Sequence, residues 1–287
     1  MRVERLRPGV SVFEVPGRGS ALREASGRLR GVDLPRGTVE ALTRWFAGAD
    51  PTPPPGLDPE RGAFAAAGYL DDTRPARTAT VTVAGDGPLA DAVATALAGP
   101  TVRVLRGTVG ELAAVPARPD PTRPATGVDA TGGADASATP TAVCVVADGP
   151  APASWTTLDR LPDRGTAVFR LAVEGRHGIL EPPAAHPGDA GHADVRARRL
   201  AAAGSGHPHL LAYWAAAPAA PTGPGDHALL AALLAADVRA WAGGHDVPAV
   251  GDLVPAALPA RRRLRVVDLD TAAIADHPLL PVPDSAP

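Results

Sequence analysis

Lysine, asparagine and glutamine are absent from all 287 residues, and cysteine occurs once, at Cys144. All 28 basic side chains are therefore arginines, which reads as the codon bias of a GC-rich genome before it reads as function. A single cysteine excludes an internal disulfide and a cysteine zinc cluster within one chain. Aromatic residues make up only 3% of the chain against 45% hydrophobic residues overall, so the core is built from Ala, Val and Leu in close-set elements. No run of 18 apolar residues occurs, and no membrane span is expected. The N-terminus, MRVERLRPGV, lacks the apolar centre of a signal peptide, so a cytoplasmic protein is expected. The net charge of -3 gives no basic footprint for nucleic acid.

What is abundant is punctuation: 33 prolines and 31 glycines. Residues 50–55 (DPTPPP), 116–140 and 215–226 read as linkers or loops, the second as a mobile insertion. Residues 1–73 form a unit of their own. Three short strands are expected there, over 10–15, 21–25 and 28–34, followed by a helix opening at Thr38 and a second over 58–67. Three small strands followed by helices make a winged-helix-like arrangement. From residue 78 onward strands and helices alternate: strands over 80–84, 101–105 and 141–147, helices over 89–98, 193–203 and 227–243, a hairpin over 166–181 and a late strand over 264–269. That alternation predicts an α/β domain with a largely parallel sheet.

Residues 78–105 (TATVTVAGDGPLADAVATALAGPTVRVL) carry the most information. Gly85-Asp86-Gly87-Pro88-Leu89-Ala90 fits G-x-G-x-x-A between a strand and a helix, where the first glycine makes the turn and the second lets a phosphate approach the backbone. Gly85 and Gly87 are thus the candidate cofactor-binding residues. Against a nucleotide stand Asp86 inside the turn and Arg106 at the end of the second strand, where an acidic residue would hold the ribose. Other chemistry is sparse. The eight histidines lack metal-ligand spacing, with His186 and His192 reading as solvated loop residues near Asp189, and no metal is expected. Cys144 lies mid-strand as a small hydrophobe. Ser205 follows no strand and lacks a nucleophile elbow.

Three segments resemble one family, the ThiF-like partner proteins (F proteins) that work beside YcaO cyclodehydratases in azole and thiopeptide biosynthesis from ribosomal peptides. Residues 81–99 (VTVAGDGPLADAVATALAG) are similar to its first strand–helix unit, residues 166–187 (TAVFRLAVEGRHGILEPPAAHP) to its hairpin and following loop, and residues 268–283 (DLDTAAIADHPLLPVP) to its C-terminal tail. The N-terminal unit resembles a RiPP recognition element, the winged-helix-like module that captures leader peptides. Two Cys-x-x-Cys pairs that hold a structural zinc in many members are absent, and with no lysine the Arg–Lys–Asp set that binds ATP in catalytic relatives is incomplete.

The resemblance implies a small α+β module over 1–73 and a Rossmann-like ThiF-type domain over 78–287. It implies a non-catalytic partner, without cofactor, that binds a precursor's leader peptide and presents it to a YcaO-type cyclodehydratase. The leader would add as a strand to the edge strand 28–34. Leu29, Val32, Phe64, Tyr69 and Leu70 would line the groove, and Arg28 and Arg30 would meet acidic leader residues. Related proteins of this superfamily often dimerise, so a homodimer is a further expected partner. Two other readings stand beside this one: a nucleotide-binding enzyme, either an adenylating protein or an NAD(P)-dependent dehydrogenase, and a dimeric structural protein that binds neither peptide nor nucleotide.

Overall fold

The structure, a computed structural model, describes residues 5–7, 9–34, 37–46, 55–71, 78–113, 139–216, 219, 221–244 and 258–282. The described residues cluster into two units, one on each side of residues 76 and 77. Residues 50–54, most of the expected insertion over 116–140, and part of 215–226 lie outside the described residues.

In the first unit, β1 (Arg5–Leu6) pairs with β5 (Leu70–Asp71), and β2 (Ser11–Val15), β3 (Gly19–Arg23) and β4 (Leu29–Val32) form an antiparallel sheet in that order. Glycines close both hairpins: Gly17 in the first and Gly27 in the second have positive φ. Helices α1 (Thr38–Phe46) and α2 (Asp58–Ala66) lie between β4 and β5 in sequence. In α1, Val39, Leu42, Trp45 and Phe46 fall on one face by helical spacing and are buried. They pack with Val12, Leu22, Phe64 and Leu70 into one core, where Trp45 stacks on Phe46 at 4.8 Å.

The second unit is a seven-stranded mixed sheet in the order β12-β11-β10-β9-β8-β6-β7. Its strands are β6 (Ala79–Ala84), β7 (Val102–Gly107), β8 (Thr141–Ala147), β9 (Thr166–Glu174), β10 (His177–Leu180), β11 (Arg263–Asp268) and β12 (Ile274–Pro278). β7, β6, β8 and β9 run parallel. The hairpin β9–β10 then reverses direction, and β10, β11 and β12 continue antiparallel. The sheet is thus parallel at one end only, which corrects the expectation of a largely parallel one. The reason is the two-residue turn Gly175–Arg176, which leaves no room for a crossover helix.

Helices cover both faces. On one, α3 (Pro88–Leu97) and α7 (Pro224–Ala242) bury Leu89, Val93, Leu97, Leu230, Leu234 and Val238 against Val81, Val83, Cys144 and Phe169. On the other, the short α4 (Val109–Ala113) and the turn Ala153–Leu158 seat Leu112, Trp155 and Leu158 against Val143, Val145 and Val168. α5 (His192–Ala203) and α6 (His207–Ala216) lie over the antiparallel end of this second face. The alternation along β9 sorts its side chains: Phe169, Leu171 and Val173 join the first cluster, Val168 and Ala172 the second.

Candidate functional site

In the first unit the sheet ends at β4, which pairs only with β3 among the described residues. The Glu24 N–H donates to the Arg28 carbonyl at 2.9 Å, which makes Glu24 and Arg28 a bonded pair of the β3–β4 hairpin. Bonded and non-bonded pairs alternate along an antiparallel ladder. Leu22–Arg30 and Ser20–Val32 are therefore the next bonded pairs, and Leu29 and Gly31 turn their N–H and C=O groups away from β3. The outward backbone donors and acceptors of these two residues have no partner among the described residues. Cross-strand partners share a face, so Arg30 and Val32 lie on the helix-covered face with Leu22, while Leu29, 64% exposed, lies on the other.

The rim of this edge is polar and organised. Arg30 Nε donates to Glu24, the Tyr69 hydroxyl donates to the same carboxylate at 3.0 Å, and Ser26 donates to its other oxygen at 3.3 Å. The Arg30 hydrogen bond holds Glu24 below the usual carboxylate range, while burial and the adjacent Glu24 push the Tyr69 phenol up. Arg28, Leu29 and Arg30 are at the surface, and Val32 and Tyr69 are half-buried. Phe64 and Leu70 are core residues: Phe64 meets Phe46 at 5.8 Å and Tyr69 at 6.0 Å, so these two side chains back the surface from below. The sequence reading missed Glu24. Its signal is its place at the mouth of a hairpin, six residues before an arginine on the same sheet.

In the second unit, the chain leaves β6 for β7 on one side and returns to β8 on the other, so the carboxyl ends of β6 and β8 flank a topological switch point. The glycine turn sits there. A Cβ on Gly85 would lie 2.4 Å from the Val146 carbonyl oxygen, and one on Gly87, whose φ is 99°, would lie 2.2 Å from Asp148 Oδ2. Packing inside the protein thus accounts for both glycines without any ligand. Arg106 lies across the turn, donating to the Ala90 carbonyl at 2.9 Å and the Gly85 carbonyl at 3.0 Å, with Asp91 at 3.2 Å. Asp148 Oδ2 thus occupies the space beside Gly87, and the Arg106 guanidinium lies across the same turn.

The second unit also holds a buried ionic network that the sequence did not announce. Arg170, fully buried on β9, donates to Asp159 Oδ1 at 2.6 Å and lies 3.8 Å from Glu181. His192 Nδ1 sits 2.8 and 3.0 Å from the two Glu181 oxygens, and the ring meets Trp155 edge-on at 5.7 Å. Asp159 also accepts the His192 and Ala193 N–H groups at 2.8 and 3.0 Å, capping α5 from a distant loop. His192 is 1% exposed, so the expectation of a solvated loop histidine is wrong. Its partner Glu181, just past the end of β10, is set beside Arg170 by a hydrogen bond from the Glu181 N–H to the Arg170 carbonyl at 3.1 Å. His186 is exposed, as expected. Cys144 is fully buried, and burial pushes its thiol up. No group of three potential metal ligands occurs among the described residues.

No protein-family model matches the chain, and no curated protein does. Solved structures match its fold. A heterocyclase in complex with substrate and cofactor has a TM-score of 0.63 at 14% identity, over 98% of this chain and 39% of that one. The heterocyclase TruD gives 0.60 at 15% identity, over 99% and 42%. E. coli MccB with ATP gives 0.52 at 11% identity, over 98% of each chain. The chain shares its fold with these proteins. It spans about two fifths of the length of the two heterocyclases it matches.

Proposed function

We propose that this chain is a non-catalytic partner protein of ribosomal peptide natural-product biosynthesis. Residues 1–73 act as a winged-helix-like module that binds the precursor's leader peptide, and residues 78–287 form a ThiF-like body. The chain presents the peptide to a YcaO-type cyclodehydratase for azoline formation at Cys, Ser or Thr. The observation that carries this reading is the fold match over 98–99% of the chain to heterocyclases more than twice its length. A second support is the edge of β4 that faces away from β3 and has no partner among the described residues. A leader segment lying beside it gains main-chain hydrogen bonds from Leu29 and Gly31, while alternate side chains meet Val32 and Tyr69 on one face and Leu29 on the other. Arg28 and Arg30 add positive charge for acidic leader residues.

The glycine turn argues against the enzyme reading, because Arg106, Asp86 and Asp148 suit the protein's own packing better than a nucleotide. Calorimetric titration of the precursor peptide into the full-length chain tests the proposal. Saturable micromolar binding is expected for the intact precursor and none for a precursor stripped of its leader. ATP, NAD and NADP are expected to give no heat of binding. A chain that ignores the leader but binds a nucleotide would reverse the assignment.

A further inference from the structure

Gly31, on β4, is a glycine that nothing among the described residues requires. Its φ is not positive, so the backbone at this position suits any residue. A Cβ placed on it meets nothing within 4 Å, so no neighbour needs the space. β4 pairs with β3 residue for residue, so the glycine marks no bulge. Glycine weakens a strand interior, and outside bends and bulges it marks a place where a ligand or another backbone comes close. Gly85 and Gly87 are the opposite case, because Val146 and Asp148 fill the space of their side chains.

The register shows what surrounds it. Cross-strand partners share a face, so Phe13, Ala21 and Gly31 form one row and Ser11, Arg23 and Leu29 the next, both on the face turned away from the helices. The first row falls in size toward the sheet edge, from an aromatic ring to a methyl group to no side chain at all. Phe13 is 37% exposed and lies outside the core that Val12 and Leu22 join. Leu29, next to Gly31 on the same face, is the more exposed of the two. Phe13 and Leu29 thus bound a shallow apolar trough floored by Ala21 and Gly31. Arg23 is the one charged residue of the two rows, and it donates to the Gly9 carbonyl at 3.2 Å.

We infer that Gly31 is a specificity position: the leader strand beside β4 carries an aromatic side chain directly opposite Gly31, lying over the glycine and against Leu29 and Ala21, toward Phe13. This rests on the leader-binding reading above, and adds which residue type is selected and on which face. A strand added to β4 continues the pleat, so its residue opposite Gly31 points to the same face as Phe13 and Ala21. No side chain on β4 meets it there, and a small residue would leave the trough uncovered. Aromatic side chains compensate for a glycine across from them on a sheet edge. They also reach the diagonal neighbour, here Leu29. The leader residues on either side turn to the other face, toward Val32 and the Arg30–Glu24–Tyr69 rim.

The test titrates the precursor's leader peptide and its alanine scan into the full-length chain, as wild type, Gly31→Val and Phe13→Ala. Valine suits a strand and keeps the outward N–H, so Gly31→Val should melt no lower than wild type. In wild type, replacing one aromatic leader residue by alanine should weaken binding at least tenfold. Gly31→Val, whose side chain fills the trough, should bind the intact leader at least tenfold more weakly and lose little more from the same alanine replacement. Phe13→Ala, at an exposed position, should weaken the intact leader at least threefold, and it serves as the reading if valine lowers the melting temperature. Leader binding with no sensitive aromatic position, with fully additive losses, or unchanged in Gly31→Val or Phe13→Ala overturns the aromatic seat and leaves leader binding standing. A wild-type chain that binds no leader overturns the leader-binding reading, and the seat with it.

Discussion

Glu181 concentrates the residue-scale physics of the second unit. It is 6% exposed and serves two buried cations or donors at once, His192 and Arg170. Burying such groups is costly, and the cost is offset only while each keeps its partners. Glu181→Ala would leave Arg170 with Asp159 alone and strip His192 Nδ1. A loss of about 3–5 kcal/mol is expected, seen as a fall of roughly 10 °C in the unfolding midpoint of a unit this size. Glu181→Gln keeps a hydrogen-bonding group at the site and should cost less. Thermal unfolding by calorimetry measures both, and equal midpoints for wild type and Glu181→Ala would show the network to be inert. None of this was legible in the sequence. His192 lies eleven positions from Glu181 and stands in a glycine- and proline-rich run, the signature of a solvated loop. Residues 81–84 show the opposite case: a Val/Thr/Ala run between turn signals announces a buried strand, and Val81 and Val83 are fully buried in β6.

At the scale of elements, β4 carries the functional argument. Its inner hydrogen bonds belong to Arg30 and Val32, and its outer ones to Leu29 and Gly31. Proline at Gly31 removes an outward N–H, a place where an edge strand tolerates proline. Gly31→Pro should therefore fold like wild type by circular dichroism and bind the leader at least tenfold more weakly. Unchanged affinity in titration would move the peptide away from this edge. Three strands and two helices in the first unit were readable because hairpin glycines and a helical apolar spacing mark them. α6 and β12 were not. Proline and glycine crowd the ends of α6, and Ile274–Pro278 lacks alternation and ends in a proline, so neither gives a periodic signal. β12 exists because β11 offers it a partner, a tertiary cause that no local pattern records.

Across the whole molecule, the glycine turn changes meaning. The G-x-G-x-x-A pattern correctly marked a strand–turn–helix at a switch point. What it did not disclose is why the glycines are there: Val146 and Asp148 occupy the space a side chain would need. The proposed leader site is instead a sheet edge in the smaller unit whose outward backbone groups have no partner among the described residues. Amide hydrogen exchange over the full-length chain, with and without saturating leader peptide, compares the two places in one experiment. The account predicts that protection concentrates in residues 28–34, strongest at the Leu29 and Gly31 amides, with residues 85–91 unchanged. Protection centred on the glycine turn, or spread without any change at β4, would contradict it.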